Sequence, residues 1–207
     1  MEGIERMQKP APSDFPVHEL IRERWSPRAF ADKPVPQDVL CSIFEAARWA
    51  PSSNNEQPWA YIVATKDDRG YLEKMLSVLV EFNAHWAKHA PVLALAVAKM
   101  TFEKNDAPNR NAQYDTGAAT ALLSVEATAH GLAVHQMAGF DAEKARQVFG
   151  IPAGWEPIAA LAIGYPGDPD SLPPPLKARE MAPRTRKPIA EFVMAGHWGH
   201  TAPFATK

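Results

Sequence analysis

Apolar residues recur along this chain in two rhythms. Between Pro36 and Pro51 they fall at Val39, Leu40, Ile43, Phe44, Ala46 and Ala47, one face of a helix that Pro36 opens and Pro51 ends. Asp67 to Phe82 repeats the rhythm with Leu72, Met75, Leu76 and Leu79. The longest helical segment, Gln113 to His130, is rich in small residues (Gly117, Ala118, Ala119), which permit close packing such as a subunit interface uses; Gly131 suits its C-terminal cap. A shorter helix is expected over Ala142 to Phe149. Near the start, Asp14 suits an N-cap for a helix beginning at Pro16, and that helix should stop near Arg24 to Ser26, because Pro27 disfavours helical geometry in Ser26.

The second rhythm is the short apolar run. Trp59 to Ala64, Val92 to Val97 and Ile158 to Tyr165 read as buried strands, and Leu132 to Met137 as a further strand. Past Pro166 the periodicity is lost, and Pro169, Pro173, Pro174 and Pro175 describe an extended tail. Three stretches result: a flexible arm over 1–13, a folded domain over 14–166 and an extended C-terminal arm over 167–207. Helices and strands alternate irregularly with no internal repeat, which favours mixed α+β layers. No G-x-G-x-x-G follows a strand, and no G-x-x-x-x-G-K-[ST] is present.

Composition narrows the picture. At 207 residues, 46% hydrophobic and 22% charged, the chain can bury a substantial core and is not a disordered segment. A net charge of -2 argues against a general nucleic-acid binder. The single Cys41 excludes an internal disulfide framework and any multi-cysteine metal site, and its place on an amphipathic helix makes it a packing residue. The longest apolar run, Pro91 to Ala98, is too short to span a bilayer, and Met1 to Pro16 lacks a signal-peptide apolar stretch. The expectation is a cytoplasmic protein with no membrane partner. His85 and His89, and His197 and His200, are spaced for one helix face or turn, but neither pair has a convincing third ligand, so no metal site is expected. The tryptophans read as core or interface anchors, with Trp86 and Trp155 the two to test for lining a substrate pocket.

Three polar clusters could carry chemistry. Arg24-Trp25-Ser26-Pro27-Arg28 places two guanidiniums around a hydroxyl at a helix-to-loop break, which suits a phosphate as well as it suits a solvated basic turn. Pro51-Ser52-Ser53-Asn54-Asn55-Glu56-Gln57-Pro58-Trp59 joins a helix end to a buried strand, and its amides could meet the alternating donors and acceptors of a flat heterocycle or satisfy the local backbone. In Arg184-Thr185-Arg186-Lys187-Pro188 an extended backbone would point both guanidiniums to one side.

In order and spacing these clusters, together with Ala29-Phe30, Ala50, Gly139-Phe140-Asp141 and Ile163-Gly164-Tyr165-Pro166, resemble the flavin-dependent nitroreductase family over Pro16 to Val193. The resemblance implies an α+β three-layer sandwich with a mostly antiparallel central sheet, flanked by helices and completed by the partner's C-terminal arm. It implies a homodimer with FMN at the interface. Arg24 and Ser26 then match phosphate and ribityl contacts, with Trp25 contributing backbone, and Arg28 matches a basic residue at the pyrimidine side. Pro51, Ser52, Ser53 and Asn55, with Gln57 on the same loop, match the segment that reaches the partner's FMN. Asn83 matches a pyrimidine-edge amide, Gly139 a backbone N–H facing flavin N5, and Arg184 and Arg186 a C-terminal phosphate grip. Two positions depart from relatives: Ala138 stands where some carry glutamate and Trp86 where some carry lysine, which leaves Arg28 to stabilise a reduced flavin anion. The implied activity passes electrons from NADH or NADPH through the flavin to a nitroaromatic, quinone or similar conjugated acceptor by a ping-pong route, with no side-chain nucleophile. A non-catalytic FMN-binding or storage protein, or a same-fold enzyme of dehalogenation, enone or semialdehyde reduction or flavin-dependent oxidation, would use the same motifs.

Overall fold

A computed structural model describes residues 7–206. The first six residues of the expected flexible arm lie outside this range. The elements in chain order are α1 (Glu19–Glu23), α2 (Gln37–Arg48), β1 (Trp59–Thr65), α3 (Arg69–Val78), α4 (Glu81–Ala87), β2 (Val92–Lys99), α5 (Ala112–Ala129), β3 (Ala133–Met137), α6 (Ala142–Phe149), β4 (Trp155–Gly164) and α7 (Pro174–Met181).

The four strands form one antiparallel sheet in the order β1-β2-β4-β3. The two central strands are the most apolar, because helices cover both faces and leave no solvated side. Alternate residues serve the two layers. Leu93, Leu95, Val97, Ala160 and Ala162 face a core built with α3, α4, α6 and α7. Val92, Ala94, Leu161 and Ile163 face a second core built with α2 and α5. This is the α+β arrangement the apolar rhythms predict. Among the described residues no helix is long and apolar enough to cross a membrane.

Four details differ from the sequence reading. Helix α1 is short and is capped by His18, whose Nδ1 accepts the Leu20 N–H; Asp14 is not its cap. Cys41 is exposed on α2 rather than packed. The helix expected over Asp67 to Phe82 breaks at Leu79 and Val80, which are extended. The break has a tertiary cause: Leu79 bridges Phe140, and the Val80 N–H donates to the Gly139 carbonyl. Finally, the chain beyond Pro166 is not simply extended. Pro173 and Pro174 open α7, where proline's missing N–H costs nothing, and its residues Leu176 and Glu180 are buried, as is Leu172 just before it.

Candidate functional site

The turn that follows α1 is fastened on three sides. Backbone bonds tie it to the exit of β4: Ala31 N–H donates to the Tyr165 carbonyl and Gly167 N–H to that of Ala29, both at 2.9 Å. A Cβ on Gly167 would fall 2.5 Å from the Phe30 backbone, so only glycine allows this approach. From α7, the buried Glu180 carboxylate accepts the Arg28 N–H at 2.8 Å and the Ala29 N–H at 3.1 Å. Burial pushes the Glu180 carboxyl above the usual range, against the pull of those two N–H groups. From β3, His135 Nδ1 lies 2.8 Å from the Pro27 carbonyl oxygen, so this nitrogen carries the proton. Burial pulls the His135 pKa down to about 4; the bond to Pro27 resists, and the nearby Arg28 charge adds to the drop.

So held, the turn faces the C-terminal segment across a cleft of about 280 Å³. Arg24, Trp25, Ser26, Arg28, Arg184 and Arg186 all line it, which unites the first and third sequence clusters. Arg24 Nη1 donates to Ser26 Oγ, and Arg184 Nη1 donates to the Lys9 and Arg22 carbonyls. Among the described residues none of these four guanidiniums forms a salt bridge. Arg28 Nε is buried without a hydrogen-bond partner. Burial and mutual repulsion lower the pKa of Arg24 and Arg184, and Arg186 contributes to both. No salt bridge among the described residues neutralises these crowded cations, although the Glu180 carboxylate lines the same cleft and, against the lowering effect of burial, raises the proton affinity of Arg28; such a donor set suits an anion.

A second pair of predicted residues, distant in sequence, is brought together by the fold. The break between α3 and α4 sets Asn83 against Gly139, where Asn83 Nδ2 donates to the Gly139 carbonyl at 3.0 Å. A Cβ on Gly139 would lie 2.6 Å from that nitrogen and 2.9 Å from Val80 Cγ2. With its carbonyl occupied, Gly139 still has its N–H without an acceptor among the described residues.

The structure does not bring the Pro51–Gln57 loop to the cationic cleft. Pro51, Asn55 and Gln57 are exposed, and Ser52 and Ser53 half-buried. The Ser53 N–H donates to Asp115 Oδ2 at 2.9 Å, and Ser52 Oγ accepts the Gln57 N–H. Asn54, Asn55 and Gln57 all have positive φ, between 49° and 58°. Asparagine tolerates this region and glutamine less so, so the loop stores strain.

Trp86 is not a pocket wall. It is 1% exposed, 4.6 Å from the His135 ring and stacked near Phe30, and the Arg28 guanidinium lies 5.9 Å from its ring centre. Trp155 packs partly buried against the core beside α6. Trp49 and Trp198 are exposed in the single chain. Sequence reasoning missed Glu180, His135 and Asp115, because each acts on a backbone group far away in sequence. Only a buried-looking charge within an apolar helix repeat, as at Glu180 after Leu172 and Leu176, could have hinted at one of them.

Comparison with known proteins identifies the family. The model of the nitroreductase family matches residues 21–84 and 72–165. The chain belongs to the nitroreductase family. A Streptomyces coelicolor protein, provisionally named an NADH dehydrogenase/NAD(P)H nitroreductase, is 31% identical over 166 residues, 70% of this chain and 80% of the relative. A crystal structure described as an oxidoreductase containing FMN superposes with a TM-score of 0.87 at 34% identity, covering 92% of this chain and 97% of the other. A nitroreductase family protein of Clostridium difficile has a TM-score of 0.68 at 25% identity, over 88% of this chain and 99% of that one. Within this nitroreductase-family chain, the cationic cleft joins the turn 24–30 to the C-terminal segment, and the break between α3 and α4 joins Asn83 to Gly139.

Proposed function

We propose that the chain is an FMN-dependent oxidoreductase that takes electrons from NADH or NADPH and delivers them to a nitroaromatic, quinone or similar conjugated acceptor, working as a homodimer. The observation that carries this reading is the cleft of Arg24, Arg28, Arg184 and Arg186, whose guanidiniums form no salt bridge among the described residues. A phosphate monoester fits that donor set, and Ser26 adds a hydroxyl. Arg24, Ser26, Arg184 and Arg186 hold the phosphate end, with the Trp25 backbone beside them. Arg28 lies toward the pyrimidine side, where its charge favours the reduced anion. Asn83 serves the pyrimidine edge, and the free Gly139 N–H faces N5.

When bound, FMN supplies hydride acceptance from the nicotinamide and electron delivery to the acceptor at one shared face, hence ping-pong kinetics. The protein's part is to bind, orient and tune. Ala138, where some relatives carry glutamate, would leave N5 without a carboxylate from that position.

The loop of Pro51, Ser52, Ser53, Asn55 and Gln57 serves the FMN of the partner subunit. Its distance from the chain's own cleft supports this, and so does the outer face of α5, where Tyr114 is 80% exposed and Leu122 39%. A Cβ on Gly117 would meet nothing within 4 Å, room that a second helix would use. The domain over 14–166 would then hold the flavin while the arm over 167–207 completes the dimer.

The test is direct. The purified protein should be yellow, bleach on addition of NADH or NADPH, and regain colour with a nitroarene or quinone. A colourless protein that takes up no FMN overturns the reading. A yellow protein that never bleaches makes it a flavin store.

A further inference from the structure

Beside the cationic cleft lies a second cavity that the reading above leaves without a role. It holds about 470 Å³ between α4 and α7, with mostly apolar walls that include Phe82, Pro173, Pro175 and Leu176. Phe82 is 48% exposed, a large ring left in solvent on a helix whose next residue is Asn83. The Arg179 guanidinium, from α7, lies 5.4 Å from the centre of that ring. Arg179 also lines the cationic cleft, so one side chain borders both spaces.

The charge on Arg179 is not spoken for. Among the described residues it forms no salt bridge. Its neighbours' carboxylates are committed elsewhere: Glu180 to the Arg28 and Ala29 N–H groups, and Asp170 to Lys177. Arg179 is close enough to Arg28 to lower that residue's proton affinity, so the two cations repel. Two other titratable groups face the cavity, Glu81 and His85 on α4. Glu81 repels an anion, and Arg179 is the lining arginine that would attract one.

We propose that this cavity is the acceptor pocket and that Arg179 selects acceptors carrying a carboxylate on an aromatic ring. The proposal rests on the function proposed above and names its substrate class. A guanidinium pairs with carboxylate through two parallel hydrogen bonds, while Phe82 and the proline walls take the ring. A neutral arene uses the ring contacts alone and gains nothing from Arg179.

The experiment compares the wild-type protein with Arg179→Gln and Arg179→Lys. Calorimetric titration with benzoate measures the clamp without turnover. Steady-state reduction of 4-nitrobenzoate and nitrobenzene measures it in the reaction, and FMN affinity is measured alongside. Arg179→Gln should raise the benzoate Kd and the 4-nitrobenzoate KM about tenfold, the usual loss for one charge-assisted pair. Arg179→Lys should recover part of that loss. The benzoate Kd and 4-nitrobenzoate KM should rise several-fold more than the nitrobenzene KM and more than the FMN Kd, which reports whatever Arg179 contributes at the cationic cleft it also borders. Equal shifts for both nitroarenes, or none, overturn the proposal. An FMN affinity weakened as much as that for benzoate also overturns it and assigns Arg179 to the phosphate end. A wild-type protein that takes up no FMN defeats the function proposed above, while benzoate binding still decides the role of Arg179.

Discussion

The cationic turn and the Pro51–Gln57 loop are built in opposite ways. The turn is locked into its own chain by β4, by Glu180 from α7 and by His135 from β3. The loop projects from the end of α2, strained at Asn54, Asn55 and Gln57. Two carboxylates reach it or hold its surroundings: Asp115 takes the Ser53 N–H, and Glu56 takes the N–H of Glu103. A site that one chain can finish is anchored at many points. In the proposed dimer, a segment that fits a second copy would be left outward and held at few points.

The largest expected effect probes the locked side. The His135 pKa falls from 6.5 in the unfolded chain to about 4 in the fold. Between those values the unfolded chain binds a proton that the folded one refuses. Stability is therefore full above 6.5 and lost as pH drops through the window to 4, by about 3 kcal/mol in all. His135→Asn keeps a donor for the Pro27 carbonyl and cannot titrate, so urea unfolding from pH 7 to pH 4 should show a shallower acid loss than wild type. Glu180 acts in the opposite sense, because its raised pKa favours the fold at low pH, so the difference between wild type and variant is the quantity to read. Equal slopes would place the His135 ring in water.

Next come the guanidiniums. Arg24→Ala and Arg186→Ala should each weaken FMN binding by about 2 kcal/mol, roughly thirtyfold, by equilibrium dialysis. Unchanged affinity in both would remove the phosphate assignment. On the loop side the effects shrink. Asp115→Ala leaves the Ser53 N–H without its acceptor and should cost about 1 kcal/mol, seen as faster hydrogen exchange at the Ser53 amide; Asp115→Asn should restore most of the protection. The smallest change asks whether a second copy is there at all. In a lone chain Gly117→Ala should stabilise α5 by about 0.5–1 kcal/mol. In a dimer packed across α5 it should weaken association in sedimentation instead. A stabilised protein with unchanged association would break the contrast between the two regions.

Much of this architecture is written locally. The strands over 59–65, 92–99, 133–137 and 155–164 follow apolar runs, and α6 has the bounds its own caps dictate, Asp141 before it and Gly150 in the left-handed region after it. The arginine clusters are legible as clusters, and the fold brings them to one cleft. What sequence could not tell lies in contacts between distant residues. Nothing between Asp67 and Phe82 forbids one continuous helix; the break comes from Gly139 and Phe140, about sixty residues on. The proline density after Pro166 conceals α7, because a proline that disrupts a helix interior is harmless in its first turn. Trp86 reads as a candidate pocket wall in the sequence, but Phe30 and His135 close over it.

The Glu180 carboxylate has a consequence in time as well as in space. Its partners Arg28 and Ala29 lie 152 and 151 residues upstream. During synthesis the amino-terminal elements emerge first, and the turn 24–30 must wait, two buried N–H groups unsatisfied, until nearly the whole polypeptide has left the ribosome. Closure of the cationic cleft is thereby deferred to a chain that has released α7. A prematurely terminated product that keeps every residue of the sheet would still carry Arg24, Ser26 and Arg28, yet present them on an untied turn.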